Sequence, residues 1–130
     1  MKKIILIAFF LISLSLIFIH CNKNNSSSNA IACTMEFRTI SIKVLGDTLN
    51  HFYTIRTNTG DTIIVNSGTA LDFETYPVLD DTYLNRFINS TEQFRFVGLK
   101  NNIVLVNELF TIKADQCHIN YVSGNQIVNF

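Results

Sequence analysis

Alternating apolar and polar side chains run through most of the chain after residue 35 and predict a succession of short strands. In Glu36–Leu45 the apolar residues Ile40, Ile42 and Val44 alternate with polar neighbours, which is the period-two pattern of a half-buried strand. Further strand-like runs are Phe52–Thr57, Thr62–Asn66, Phe94–Phe96, Ile103–Val106, Leu109–Ala114, Cys117–Val122 and Gln126–Phe130. We interpret Ile103–Val106 as a short buried run, since all four of its residues are apolar.

Turn residues divide these runs at short intervals. Asn58–Asp61 separates two strand-like runs and predicts a hairpin with a glycine-containing loop. Pro77 lacks a main-chain N–H, so it confines Thr75–Leu79 to an edge strand or a loop. Segments of this length, spaced about ten residues apart and bounded by Gly, Asn and Asp, are typical of all-β sandwiches or small barrels. The pattern therefore predicts a single antiparallel β-sandwich of about seven strands over residues 32–130.

One short helix is predicted between two of the strands. Asp80, Asp81 and Thr82 have side chains that can accept the first free N–H groups of a helix. Tyr83 and Phe87 follow four residues apart and form a short apolar stripe. We expect one or two helical turns over residues 82–89.

The first 20 residues have the pattern of a targeting segment. Lys2 and Lys3 are followed by 16 uncharged and mainly apolar residues, Ile4–Ile19. This is short for a membrane-spanning helix, which needs about 20 residues, and it suits the apolar region of a signal peptide. An uncleaved signal anchor is the alternative, and in either case the rest of the chain is expected to be exported.

Cys21 ends the apolar region and opens a polar Asn/Ser tract, which we take as a flexible tether over residues 21–31. This arrangement resembles the leader of bacterial lipoproteins, and His20 before the cysteine resembles the relaxed motifs of the Bacteroidota. The resemblance implies lipidation of Cys21 and attachment to a membrane of the cell envelope, on its periplasmic or surface face. The alternative is a secreted protein that is cleaved near Ala32 and carries no lipid.

Removal of this leader changes the net charge of the chain, and lipidation of Cys21 would change the number of cysteines that can pair. Residues 21–130 carry eight Lys and Arg against ten Asp and Glu, a net charge of −2, and have no basic cluster, which argues against a nucleic acid partner. With Cys21 lipidated, Cys33 and Cys117 remain as a pair. In an oxidising compartment such a pair favours a disulfide. Two buried free thiols are the alternative.

The first strand, its Gly46-Asp47 turn and the pattern FRFVGL…FTIKADQCHI (Phe94–Ile119) resemble the transthyretin-like or carboxypeptidase-regulatory-like β-sandwiches of Bacteroidota surface lipoproteins. The resemblance covers about residues 33–122 and implies the fold alone. It brings no functional residue with it.

Few residues suggest chemistry. Because neighbouring strand residues point to opposite faces, Cys117 and His118 are not expected to bind one metal ion, and we place His118 on the solvent face. His51 has no close partner in sequence, and the acidic residues around Asp80 and Asp81 lack the spacing of a calcium loop. We expect neither a metal site nor a cofactor.

Catalytic motifs are also missing from the sequence, which contains no nucleophile elbow, P-loop or dinucleotide fingerprint. Thr48 and Thr62 each follow an aspartate and precede an aliphatic residue, which is similar to the O-glycosylation acceptor pattern of the Bacteroidota. The sequence thus predicts a non-catalytic envelope module with an unidentified envelope protein as partner. The alternative is an envelope enzyme inhibitor or a ligand-binding module.

Overall fold

The computed structural model describes residues 31–65 and 72–130. The predicted signal peptide, most of the tether and Cys21 lie outside the described residues. The elements are β1 (Thr39–Leu45), β2 (His51–Arg56), β3 (Thr62–Ile63), β4 (Thr75–Asp80), a 3₁₀ helix (Asp81–Arg86), β5 (Thr91–Lys100), β6 (Ile103–Ala114), β7 (Ile119–Ser123) and β8 (Ile127–Asn129).

The strands form two sheets that pack against each other, so the predicted all-β sandwich is confirmed. The smaller sheet has the order β4-β1-β8 and the larger one the order β3-β2-β5-β6-β7. Most neighbouring strands are antiparallel, as in the predicted hairpin of β2 and β3. One pair differs from the predicted antiparallel arrangement, because β8 runs parallel to β1, with Lys43 opposite Ile127.

The core lies between the sheets and contains apolar residues that the period-two pattern placed on the buried faces of the strands. Ile42 and Val44 of β1 are fully buried. They belong to the same cluster as Phe96, Phe110 and Ile112 of the larger sheet. Burying apolar side chains of this size stabilises a domain by about 1.5–3 kcal/mol each. The cluster is therefore the main source of the fold's stability.

Thr54 is a polar residue inside this core. Its hydroxyl donates a hydrogen bond of 2.7 Å to the carbonyl oxygen of Val78, which lies in the other sheet. The bond satisfies both groups where water is excluded, and it fixes the position of the two sheets relative to each other. Pro77, beside Val78, lies in β4 at the edge of its sheet, as predicted.

The short helix is present but begins one residue earlier and ends sooner than predicted. Asp80 is its N-cap, and its side chain accepts a hydrogen bond of 3.0 Å from the N–H of Thr82. A second difference concerns Ile103–Val106, since Ile103 and Val104 are 66% and 50% exposed. The run begins β6, and of its four residues only Val106 is buried in the core.

Within residues 31–65 and 72–130, no helix has the length and apolar character that crossing a membrane requires.

Candidate functional site

A disulfide joins Cys33 to Cys117, as predicted, with 5.3 Å between their Cα atoms. Cys33 lies in the irregular segment before β1, and Cys117 lies in the turn between β6 and β7. The bridge therefore holds the start of the domain against a late turn of the larger sheet.

His118 is buried, with only 6% of its surface exposed, so the prediction that it lies on the solvent face was wrong. Its Nε2 lies 2.9 Å from the hydroxyl of Thr34, and its Nδ1 lies 2.8 Å from a carboxylate oxygen of Asp81. Since Thr34 follows Cys33 and His118 follows Cys117, this hydrogen bond lies directly beside the disulfide.

Asp81 connects three parts of the chain at this point. One carboxylate oxygen accepts the N–H of Ile119 at 2.8 Å, and the other accepts the N–H of Arg38 at 2.8 Å in addition to its contact with His118. Burial alone would raise the pKa of Asp81, but the bonds from Ile119, His118 and Arg38 outweigh burial and lower that pKa. The carboxylate is therefore held in its charged form between β1, the helix and β7.

Asp115 explains why His118 departs from strand geometry. Its Oδ1 accepts the N–H groups of Cys117 at 2.7 Å and of His118 at 2.8 Å, and its other oxygen accepts a bond of 2.9 Å from the Asn120 side chain. These bonds, led by that from Cys117, lower the pKa of Asp115 to about 2. The side chain closes a turn, so the alternation of β7 begins only at Ile119.

The order of hydroxyl, imidazole and carboxylate in Thr34, His118 and Asp81 is the order found in serine hydrolases. Here, however, the oxygens of Asp81 accept main-chain N–H groups from the segment before β1 and from β7, so the carboxylate serves the packing of the fold. Neither Thr34 nor His118 lines the groove described next. These three residues, which we call the His118 cluster, therefore fix the segment before β1.

A groove of about 420 Å³ lies beside the His118 cluster, between the edges of the two sheets. We call it the β1–β7 groove. One wall is formed by residues 36–41, before and within β1, and the other by residues 119–121 of β7, with Gln126 at one end. Its volume falls within the range of about 300–1,000 Å³ that is usual for ligand sites. The groove is thus a candidate binding site.

Strand edges that no other described strand covers form the walls of the β1–β7 groove. β7 is the last strand of its sheet. β8 pairs with β1 only at residues 43–45, so the edge of β1 before Lys43 is uncovered on that side. Lys43 donates its N–H toward β8, to Gln126, whereas Val44 donates toward β4, to Glu74. Because main-chain groups alternate along a strand, Thr39 and Ser41 direct theirs into the groove.

The charged side chains of the groove are paired with each other. The Arg38 guanidinium lies 3.2 Å from the carboxylate of Glu36 and also donates to the side-chain oxygen of Asn120. Because all three are polar groups bonded at the surface, the ion pair contributes little to stability. Its effect is to leave the groove without net charge.

The remaining predicted site residues lie elsewhere. Thr48 and Thr62 are both exposed, and His51 is exposed at the start of β2. Among the described residues, no group of three or more His, Cys, Asp or Glu side chains is placed to hold a metal ion.

Sequence reasoning missed the groove and its wall residues Glu36 and Arg38. These two residues are two apart, so they share one side of an extended segment, and this spacing of opposite charges was the available signal. The position of the groove itself depends on how far β8 extends along β1, which no local pattern specifies.

Comparison of the chain with protein-family models, with curated proteins and with solved structures finds no match. The assignment of a function therefore depends on the residues and geometry given above.

Proposed function

We propose that the chain is a lipid-anchored protein of the bacterial cell envelope whose β-sandwich acts as a non-catalytic interaction or accessory module. The observation that carries the binding role is the β1–β7 groove, because its volume of about 420 Å³ lies within the usual range for ligand sites. In this proposal the partner is another envelope protein.

The proposed compartment is supported by the disulfide between Cys33 and Cys117. Structural disulfides persist in oxidising surroundings such as the periplasm and the cell surface. The leader pattern of Lys2-Lys3, the apolar run and Cys21 supports export and attachment through a lipid. The same proposal takes the sandwich to be similar to the transthyretin-like or carboxypeptidase-regulatory-like domains of Bacteroidota lipoproteins.

A non-catalytic role is supported by the way in which the ionisable groups near the groove are used. Asp81 accepts hydrogen bonds from the main-chain N–H groups of Arg38, before β1, and Ile119, in β7, and Glu36 is paired with Arg38. Groups engaged in this way stabilise and shape a binding surface, whereas an acid or base catalyst needs access to a reacting atom.

The anchor is tested by metabolic labelling of cells that express the full chain with an alkyne analogue of palmitate. The wild-type chain is expected to be labelled and to sediment with membranes, and Cys21→Ala is expected to lose both properties. Cys33→Ala serves as the matched control, since it removes a different cysteine and should keep the label. Equal labelling of wild type and Cys21→Ala, or labelling of neither, would contradict the anchor.

The binding role is tested separately by cross-linking in intact cells followed by purification of the full chain. We expect an envelope protein to be recovered with the wild-type chain. The alternative role, an enzyme inhibitor or ligand-binding module, uses the same groove, whose 420 Å³ would suit a small molecule. Recovery of no protein partner, together with inhibition of a cell-wall hydrolase or retention of a small molecule by the purified chain, would favour that alternative.

A further inference from the structure

We propose that exposed apolar side chains at the start of the domain insert into the headgroup region of the membrane and orient the domain on it. The residues are Ile31, Met35 and Phe37, which we call the N-terminal patch. This inference rests on the proposed lipid anchor at Cys21 and names a second contact between the same chain and the lipid.

The N-terminal patch is exposed although the segment that carries it is held in place. Met35 is fully exposed, and more than half of the surface of Ile31 and of Phe37 is accessible to water. None of the three side chains belongs to the core cluster. The bridge from Cys33 to Cys117 nevertheless fixes the segment against the larger sheet. Apolar residues that are grouped at a surface, rather than scattered, mark contact sites with proteins or membranes.

The position of the patch along the chain favours the membrane as its occupant. Cys21 lies 12 residues before Cys33, so the lipid and the bridge can be at most about 40 Å apart. A random coil of that length has a mean end-to-end distance of about 20 Å. A folded domain of about 100 residues is wider than this, at about 34 Å across. The end of the domain that carries the patch is therefore kept next to the lipid headgroups.

The sequence around the patch fits a contact of this kind. Residues 22–29 have no apolar side chain, and large apolar side chains return at Ile31, where the domain begins. Residues 31–38 carry one positive and one negative charge, so the attraction comes from apolar surface removed from water. Tyr121 lines the same groove as Phe37 and is 42% exposed. Tyrosine is enriched at membrane interfaces, so its ring extends the apolar surface across the groove.

A second exposed phenylalanine provides an internal reference at the opposite end of β1. The N–H of Phe130 donates to the carbonyl of Leu45, the last residue of β1, at 3.1 Å. Phe37 precedes β1 by two residues, and a strand of this length spans about 20 Å. The two side chains are exposed to nearly the same extent, 61% for Phe37 and 58% for Phe130. They differ in position and match in type and exposure.

Single tryptophans at these two positions test the orientation. The chain has no tryptophan, so Phe37→Trp and Phe130→Trp each contain one. The lipid-modified full chain is reconstituted in vesicles of phosphatidylcholine, with or without bromine on the acyl chains near the headgroup, which quenches tryptophan on contact. We expect quenching of at least about twofold and a shift of emission to shorter wavelength for Phe37→Trp, and neither change for Phe130→Trp. Tryptophan itself favours interfaces, but this preference is the same in both variants.

The rest of the patch is tested in the Phe37→Trp background. Adding Ile31→Ser with Met35→Ser should reduce the quenching by at least about half, because less apolar surface is left to insert. The matched control adds Ile103→Ser with Ile127→Ser, two residues that are also exposed but lie in β6 and β8, and should leave the quenching unchanged. Raised salt should also leave it unchanged, since screening acts on charges. Circular dichroism verifies that each variant is folded.

Three outcomes would overturn the inference. They are equal quenching of Phe37→Trp and Phe130→Trp, quenching of neither, and quenching that is unchanged by Ile31→Ser with Met35→Ser. Absence of quenching, together with loss of a cross-linked protein in Phe37→Ser but not in Phe130→Ser, would assign the patch to a protein partner instead. If the palmitate analogue labels Cys21 while the tryptophan results are negative, the proposed anchor stands and only the inserted patch fails.

Discussion

The bridge between Cys33 and Cys117 is expected to contribute about 4.5 kcal/mol to the stability of the domain. The two cysteines are separated by 84 positions. On the chain-entropy model, closing a loop of this size lowers the entropy of the unfolded chain by about 15 cal/mol/K, or about 4.5 kcal/mol at 25 °C. Domains of this size have a total stability of about 5–15 kcal/mol, so the bridge is a large part of it.

The perturbation is the double substitution Cys33→Ala with Cys117→Ala. The native structure should keep its shape, because Thr34 still meets His118 and Arg38 still donates to Asp81. The loss should therefore arise in the unfolded chain. Urea unfolding followed by far-ultraviolet circular dichroism is expected to show a free energy of unfolding lower by about 4.5 kcal/mol.

Two controls accompany this measurement. The wild-type chain under reducing conditions should have the same free energy of unfolding as the double variant. Thr34→Val keeps the bridge but removes its neighbouring hydrogen bond, so its free energy of unfolding should be lower by only about 1 kcal/mol. A loss below about 1 kcal/mol in the double variant, equal to that of Thr34→Val, would refute the chain-entropy reasoning.

Two further predictions concern single side chains. The pKa of Asp115 lies at about 2 in the folded chain against a usual value of 3.8, so the stability that it contributes is complete above its usual pKa and is lost as the pH falls through about 2. Urea unfolding between pH 5 and 2, at intervals of about half a unit, should therefore show a smaller acid loss for Asp115→Asn than for wild type. Thr54→Val leaves the Val78 carbonyl unpaired in the core and should cost about 1–2 kcal/mol by the same assay.

The matched control for Thr54 is Thr57→Val. The Thr57 hydroxyl also donates to a main-chain carbonyl at 2.7 Å, but at an exposed position. Thr57→Val should therefore lower the free energy of unfolding by no more than about 0.5 kcal/mol. Equal decreases in the free energy of unfolding for Thr54→Val and Thr57→Val would show that the decrease does not depend on burial. For Asp115→Asn, an acid loss as large as that of wild type would show that another carboxylate controls the transition.

Period-two alternation predicted the strands whose apolar faces meet the core. Ile40, Ile42 and Val44 of β1 are buried as expected, and so are Phe94 and Phe96 of β5. These predictions succeeded because each of these strands has one face toward the core and one toward solvent. Apolar and polar residues therefore alternate within a short segment of the sequence.

The predictions failed where a side chain or a distant strand decides the structure. His118 is buried because Asp115 closes a turn that delays the start of β7, and because Asp81 reaches across from the helix to receive the imidazole. Ile103 and Val104 are exposed, although all four residues of Ile103–Val106 are apolar, because an apolar run does not say which of its residues another sheet covers. Neither the side-chain bond of Asp115 nor the contact of Asp81 with His118, 37 residues away, is contained in hydrophobic periodicity.

The candidate site was predictable only in part. The disulfide followed from cysteine count and compartment, and the structure confirms it. The β1–β7 groove did not follow, since its walls come from strands at opposite ends of the chain and its size depends on β8 pairing with only three residues of β1.

The parallel pairing of β1 with β8 has a consequence for the timing of folding. The first strand of the domain completes its sheet only when Ile127–Asn129, near the last residue, becomes available. The β2–β3 and β5–β6 hairpins can form early because their contacts are local, whereas the β1–β8 contact closes a loop of nearly the whole domain, which is slow. A chain threaded through a membrane from its N-terminus would thus stay incompletely folded until Ile127–Asn129 had emerged.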